Sequence, residues 1–193
     1  VGLTDGATDT GHTLIVIDEG AEATFLVESN SPASDSSGLH CGAVEIIVKP
    51  GGVLRYVNLQ DWGRKVWHFA QQRASIGKNA SIQWTVAALG SQFSQVSQQV
   101  ALVGEGAYSQ VNGVLFTQDK QQLTYNTLQH HQAPFCRSDF LYKSALQDRS
   151  RTVWRGLIQV DALAQKTDDY QRNDNLMLSD QARADSIPGL EIE

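Results

Sequence analysis

The feature that most constrains this chain is a turn that keeps returning. Strand-like runs end in a short polar turn, and a pair of small residues follows: Gly20-Ala21, Gly51-Gly52, Asn79-Ala80 and Gly106-Ala107. The second members lie 31, 28 and 27 positions apart, and Leu163-Ala164 continues the series after a gap of 57, about two periods. A strand–turn–strand unit recurring at this spacing fits a coiled β architecture, in which each coil buries its inner face on its neighbours. Such an interior needs small residues at corners and aliphatic residues on faces, and it lets polar side chains stack in ladders. The chain's 19 glutamines, many of them in strand-like runs, suit ladders of this kind. An antiparallel sandwich also repeats strands at short spacing, so periodicity alone leaves both architectures open.

The strand signals are Thr13-Leu14-Ile15-Val16-Ile17, Thr24-Phe25-Leu26-Val27, Val44-Glu45-Ile46-Ile47-Val48 and Val53-Leu54-Arg55-Tyr56-Val57. Further runs are 81–86, 114–117 and 152–160. They are short, rich in β-branched and aromatic residues, and several alternate apolar with polar. Asn112-Gly113 taken alone is a type I′ hairpin signal. A short helix near 60–66 is conceivable but weakened by Gly63. Ser29 to Ser37 is the one low-complexity stretch and reads as an exposed, mobile loop between strands. The four tryptophans, Trp62, Trp67, Trp84 and Trp154, read as core and rim packing.

Charge narrows the function. The net charge is −6, a poor basis for nucleic-acid binding, which usually needs a basic face. Residues 1–50 carry −7, 51–160 carry +6 and 161–193 carry −5, so any polar partner surface is expected on the middle segment. The longest apolar runs are far too short to cross a bilayer, and residues 1–10 lack a signal-peptide pattern. With two cysteines and no disulfide framework, a cytoplasmic location is the expectation.

Four groups carry potential chemistry. His130 and His131 with Cys136 and Asp139 form the most ligand-like cluster, since imidazole and thiolate suit zinc, iron or copper. The spacing matches no standard zinc pattern, and adjacent strand residues face opposite ways, so both histidines cannot serve one ion. Cys136 beside a histidine is a candidate nucleophile, but Phe135 next to it argues for burial, and Cys41 beside His40 is no stronger. Lys143, between Tyr142 and Ser144, is expected at the surface, because an inward charge would need a partner or water. Gly104-Glu105-Gly106 lacks the third glycine and the helix of a nucleotide fingerprint.

The last third of the chain is the most informative. Phe135-Cys136-Arg137-Ser138, Leu141-Tyr142-Lys143-Ser144, Ser150 to Ile158, Gln165-Lys166-Thr167-Asp168, Asn173 to Leu178 and Pro188 to Ile192 form an ordered set. Upstream stand Thr13-Leu14-Ile15-Val16 and Glu19-Gly20-Ala21-Glu22-Ala23. This set resembles the SufB/SufD family of iron–sulfur cluster assembly scaffold proteins, over essentially the whole chain. The resemblance implies an all-β fold, a right-handed parallel β-helix (a solenoid), as a single core domain over residues 1–193. It also implies partners: a SufB-like paralogue and the SufC ATPase, whose motion reshapes the interface where a transient iron–sulfur cluster is built.

Within the family, SufB proteins carry a cysteine just before an Asp-Ser-Met-Leu-like stretch. Here Asn173 stands in that place, followed by Asp174-Asn175-Leu176-Met177, and asparagine supplies no thiolate. With Lys166-Thr167-Asp168 and Leu190-Glu191-Ile192, this points to the SufD branch, a scaffold and not an enzyme. The resemblance implies a fragment of a longer protein. The family's N- and C-terminal helical regions are lacking, as is a Cys-x-His-Gly segment that follows the Leu-Glu-Ile stretch. No cofactor is expected on the fragment alone, and two fragments are expected to pair through their open ends as a homodimer. Arg73 and Lys143 align with basic positions that in SufB proteins line an internal path for sulfur, and are carried as polar site candidates. Two rivals remain: a β-helix enzyme acting on polysaccharide, and a small metal-binding module built on His130, His131 and Cys136.

Overall fold

The computed structural model describes residues 2–193, and every regular element in it is a β-strand. One sheet holds seven strands: β1 (Ala7–Ile17), β3 (Ser37–Val48), β5 (Lys65–Ile76), β7 (Phe93–Leu102), β9 (Gln122–His131), β11 (Arg151–Val160) and β13 (Arg183–Ile192). The other holds six: β2 (Glu22–Asn30), β4 (Val53–Asp61), β6 (Ser81–Ala88), β8 (Tyr108–Thr117), β10 (Arg137–Leu146) and β12 (Asp168–Met177). Consecutive strands alternate between the sheets, and each pairs in parallel with the strand two along. The chain is therefore a β-solenoid of about six coils, one strand from each sheet per coil. Parallel pairing throughout excludes the antiparallel sandwich.

The repeat read from the sequence is the register of the second sheet. Glu22 pairs with Val53, Val53 with Ser81 and Ser81 with Tyr108, so the residues just before them, Ala21, Gly52, Ala80 and Ala107, form one corner column. The column continues through Cys136 and Thr167, which precede Arg137 and Asp168, and not through Ala164. Just ahead of it, Gly20, Gly51, Asn79, Gly106, Phe135 and Lys166 all take positive φ, between 52° and 70°. Glycine and asparagine accept that conformation readily. Each N–H of this column from Gly20 to Phe135 donates to a carbonyl of the next turn, at 2.9 to 3.2 Å. Turn backbone that would otherwise need water is thereby satisfied from coil to coil.

Strand alternation puts every second residue into the space between the sheets. There Leu54, Ile76, Ile82, Trp84, Leu102, Val111, Leu123 and Phe140 form the main core. Trp62, Trp84 and Trp154 are buried, while Trp67 stands on the outer face against Phe93 (ring centroids 5.3 Å apart).

Two local expectations fail for steric reasons. Asn112-Gly113 makes no hairpin, because it lies inside β8. Gly113 is needed where a Cβ would come within 2.2 Å of the Tyr142 ring. No helix forms over 60–66. Those residues end β4, turn the corner and begin β5, and Gly63 packs where a Cβ would meet the Ser36 carbonyl at 2.4 Å. The serine-rich stretch joins β2 to β3 and is exposed over 32–35, as expected, while its ends are tied to the next corner. Ser36 is buried, Ser31 Oγ accepts from the Gly63 N–H at 3.0 Å, and the Arg64 N–H donates to Ser34 O at 2.7 Å.

Candidate functional site

The interior is not uniformly apolar. Glutamine, serine, threonine and histidine occupy inward columns of the first sheet, among them His68, Gln72, Ser94, Gln98, Thr127, Gln129 and His131. Buried polar groups of this kind need partners. Some find them across the sheets: Tyr142 Oη donates to Gln98 Oε1 at 2.6 Å, and Ser109 Oγ donates to Gln129 Oε1. Others do not, and Gln72 Oε1, Gln98 Nε2 and Asn58 Oδ1 are buried without a hydrogen-bond partner. Burial pushes the Tyr125 and Tyr142 phenols well above their ordinary range, so both stay neutral donors.

Near the first coils, Asp9, His40 and His68 form one inward column across β1, β3 and β5. His40 Nδ1 lies 2.9 Å from His68 Nδ1, and His40 Nε2 lies 3.4 Å from Asp9 Oδ2. Both rings pack beside Trp62. The column borders a cavity of about 280 Å³ between the sheets, also walled by Asn58, Gln60 and Gln72. Burial, and secondarily the neighbouring His40, pushes the His68 imidazole down to about 3. Sequence reasoning missed this group. The signal was present: His40 and His68 are 28 positions apart, one repeat, so a shared column brings them together.

The residues singled out from the sequence are not brought together. His130 and His131 do face opposite ways. His130 Nε2 meets Asp161 Oδ1 at 2.6 Å in a partly exposed hydrogen bond. His131 is fully buried, with Nε2 at 2.9 Å from Ser138 Oγ and 2.5 Å from Asp169 Oδ1. Serine, histidine and aspartate meet there, but carboxylate and hydroxyl share one ring nitrogen. A catalytic relay needs them on opposite nitrogens. Cys136 is buried at its corner, its Sγ 3.3 Å from Gly104 O, and burial raises its thiol above the ordinary range. Asp139 accepts from Tyr108 Oη at 3.0 Å, away from all three. Among the described residues no three of His, Cys, Asp or Glu converge as a metal cluster.

Lys143 and Arg73 both project outward, Lys143 from the six-stranded sheet and Arg73 from the seven-stranded one. Arg73 Nε donates to Gln99 Oε1 at 3.0 Å. On opposite outer faces they line no common interior path. Four basic residues of the middle segment, Arg64, Lys65, Lys120 and Arg149, do share one corner, interleaved there with Asp119, Asp148 and Asp180. Asn173 sits inward on β12, where its Nδ2 donates to Tyr142 O at 3.2 Å and its Oδ1 accepts from Asn175 Nδ2 at 2.7 Å and from Ser186 Oγ.

Residues 2–193 match the family model described as the SUF system FeS cluster assembly, SufBD core domain. An iron–sulfur cluster assembly SufBD family protein of Mycobacterium tuberculosis is 34% identical over 196 residues, covering 98% of this chain and 48% of that protein. One from Mycobacterium leprae is 33% identical over 195 residues, covering 97% and 48%. One from Staphylococcus saprophyticus is 29% identical over 181 residues, covering 94% and 39%. The chain thus spans about half the length, or less, of these relatives.

Proposed function

Since this chain belongs to the SufBD core-domain family of the SUF system for iron–sulfur cluster assembly, we propose that it acts as a SufD-like scaffold subunit. In this reading it pairs with a SufB-like paralogue and a SufC-type ATPase in the cytoplasm, has no reaction centre of its own, and holds the site of a transient cluster. Its contribution is positional: stacked coils make a stiff body, and the ATPase supplies the energy. Cluster ligands would come from thiol, imidazole or carboxylate groups of both paralogues together.

One observation carries the reading. By the resemblance, Asn173 stands where the family's SufB branch carries a cysteine, and its amide is engaged with Tyr142, Asn175 and Ser186. The chain's two thiols lie elsewhere, Cys41 half-buried and Cys136 at a closed corner. The test is native mass spectrometry after co-expression with SufB-like and SufC-like proteins. A stoichiometric assembly containing one copy each of this chain and the SufB-like subunit supports the reading. An assembly in which this chain replaces the SufB-like subunit contradicts it.

A further inference from the structure

We propose that His40 and His68 form a binding site for one divalent first-row transition ion inside the first coils. The site rests on side-chain geometry alone and not on the scaffold reading.

The two histidines are register partners on adjacent parallel strands, so the backbone holds their rings one above the other. Their Nδ1 atoms converge to 2.9 Å. Without an ion, one imidazole N–H donates to the lone pair of the other. Two ligand nitrogens at bond lengths of about 2.0–2.1 Å and a right angle stand about 2.9 Å apart, so this spacing already fits neighbouring ligands of one ion. Asp9 supplies the outer support that metal-binding histidines usually have. Its carboxylate lies 3.4 Å from His40 Nε2, which places the proton there and leaves Nδ1 free to coordinate. Binding moves the second ring's proton from Nδ1 to Nε2, so both imidazoles remain neutral. Gly42 makes room, because a Cβ there would lie 2.6 Å from the His40 ring.

The cavity gives an independent reason. It has a volume of about 280 Å³, and two of its wall residues, Asn58 and Gln72, have carbonyl oxygens that are buried and unpartnered. An orphaned buried acceptor is costly, and a cation within its reach removes that cost. Among the described residues no third His, Cys, Asp or Glu joins the pair, so water completes the coordination, with the Asn58 carbonyl of the cavity wall as the amide candidate; Gln72, four residues along β5 from His68, stands too far. Two imidazoles with neutral oxygens suit Fe2+, Co2+ or Zn2+ better than the hard ions Mg2+ and Ca2+.

The experiment is an anaerobic titration of the chain with Co2+ alone, read by visible absorption and by paramagnetically shifted proton resonances. One equivalent should bind and shift the ring protons of His40 and His68. H40Q and H68Q should each weaken binding at least tenfold, H12Q should not, and Fe2+ should compete. No stoichiometric uptake by the unaltered chain overturns the site, and so do shifted resonances that belong to His12, His130 or His131. The resonance assignment uses the unaltered chain, so a variant that fails to fold leaves the test intact.

Discussion

Cys136 shows how a residue's role follows from its column. Its coil-to-coil equivalents are Ala21, Gly52, Ala80 and Ala107, so the corner asks for a small side chain and no more. Burial raises its thiol, which keeps the thiolate scarce at neutral pH. In the native protein, alkylation at pH 8 should therefore modify Cys41 and spare Cys136 until the chain unfolds; equal labelling of both would contradict the assignment. C136A restores the column's commonest residue and should cost about 1 kcal/mol or less in denaturant unfolding. The burial of Cys136 was legible in the sequence, although Phe135, which suggested it, is itself exposed. The opposite facing of His130 and His131 was legible from strand alternation. The His40–His68 pair was legible only through the repeat, since the two stand one period apart and no local motif marks them.

At the scale of elements, the strands with aliphatic inward faces announced themselves; β12 and β13 did not, and neither did β5, β7 and β9. Their inward positions carry His68, Gln72, Ser94, Gln98, Thr127, Gln129 and His131, which break the apolar alternation that marks a strand. Gly113 misled in the other direction, since a glycine after asparagine signals a turn and here clears space for a ring. G113A should destabilise the chain by about 1–3 kcal/mol, because the added methyl meets the buried Tyr142 ring; an unchanged unfolding midpoint would show that the ring can yield. The last coil is clipped by Asp185, which accepts from Arg151 Nε at 2.9 Å and Nη2 at 2.6 Å, and from Arg183. Arg151 first, then Arg183, holds the Asp185 carboxyl below its ordinary range. A carboxylate depressed on folding stabilises above its unfolded value of about 3.9, and that contribution is lost as pH falls through the lower folded value. D185N should loosen β13 at pH 7 by no more than about 1 kcal/mol, as for a surface pair, and should reduce the acid sensitivity of its amide exchange. An unchanged acid profile would place that sensitivity elsewhere.

At the scale of the whole molecule, the solenoid ends matter most. Phe25 at one end, and Met177, Leu190 and Ile192 at the other, occupy inward columns yet remain exposed because no further coil covers them. Open parallel edges and bare apolar columns favour association. The chain on its own should therefore self-associate as concentration rises, and light scattering that shows a strict monomer at high concentration would contradict this. The repeat alone left coil and sandwich both open and the family resemblance decided between them, although the early spacings are the strand register itself. What the sequence could not convey is which outward charges share a surface, since Arg73 and Lys143 belong to opposite sheets. In the proposed scaffold role, this body positions chemistry performed on its partner. The decisive measurement is persulfide mapping by mass spectrometry on an assembly reconstituted with SufB-like and SufC-like subunits and a sulfur donor. Sulfur is expected on a thiol of the SufB-like subunit and not on Cys41 or Cys136; stoichiometric persulfide on either cysteine of this chain would overturn the scaffold role.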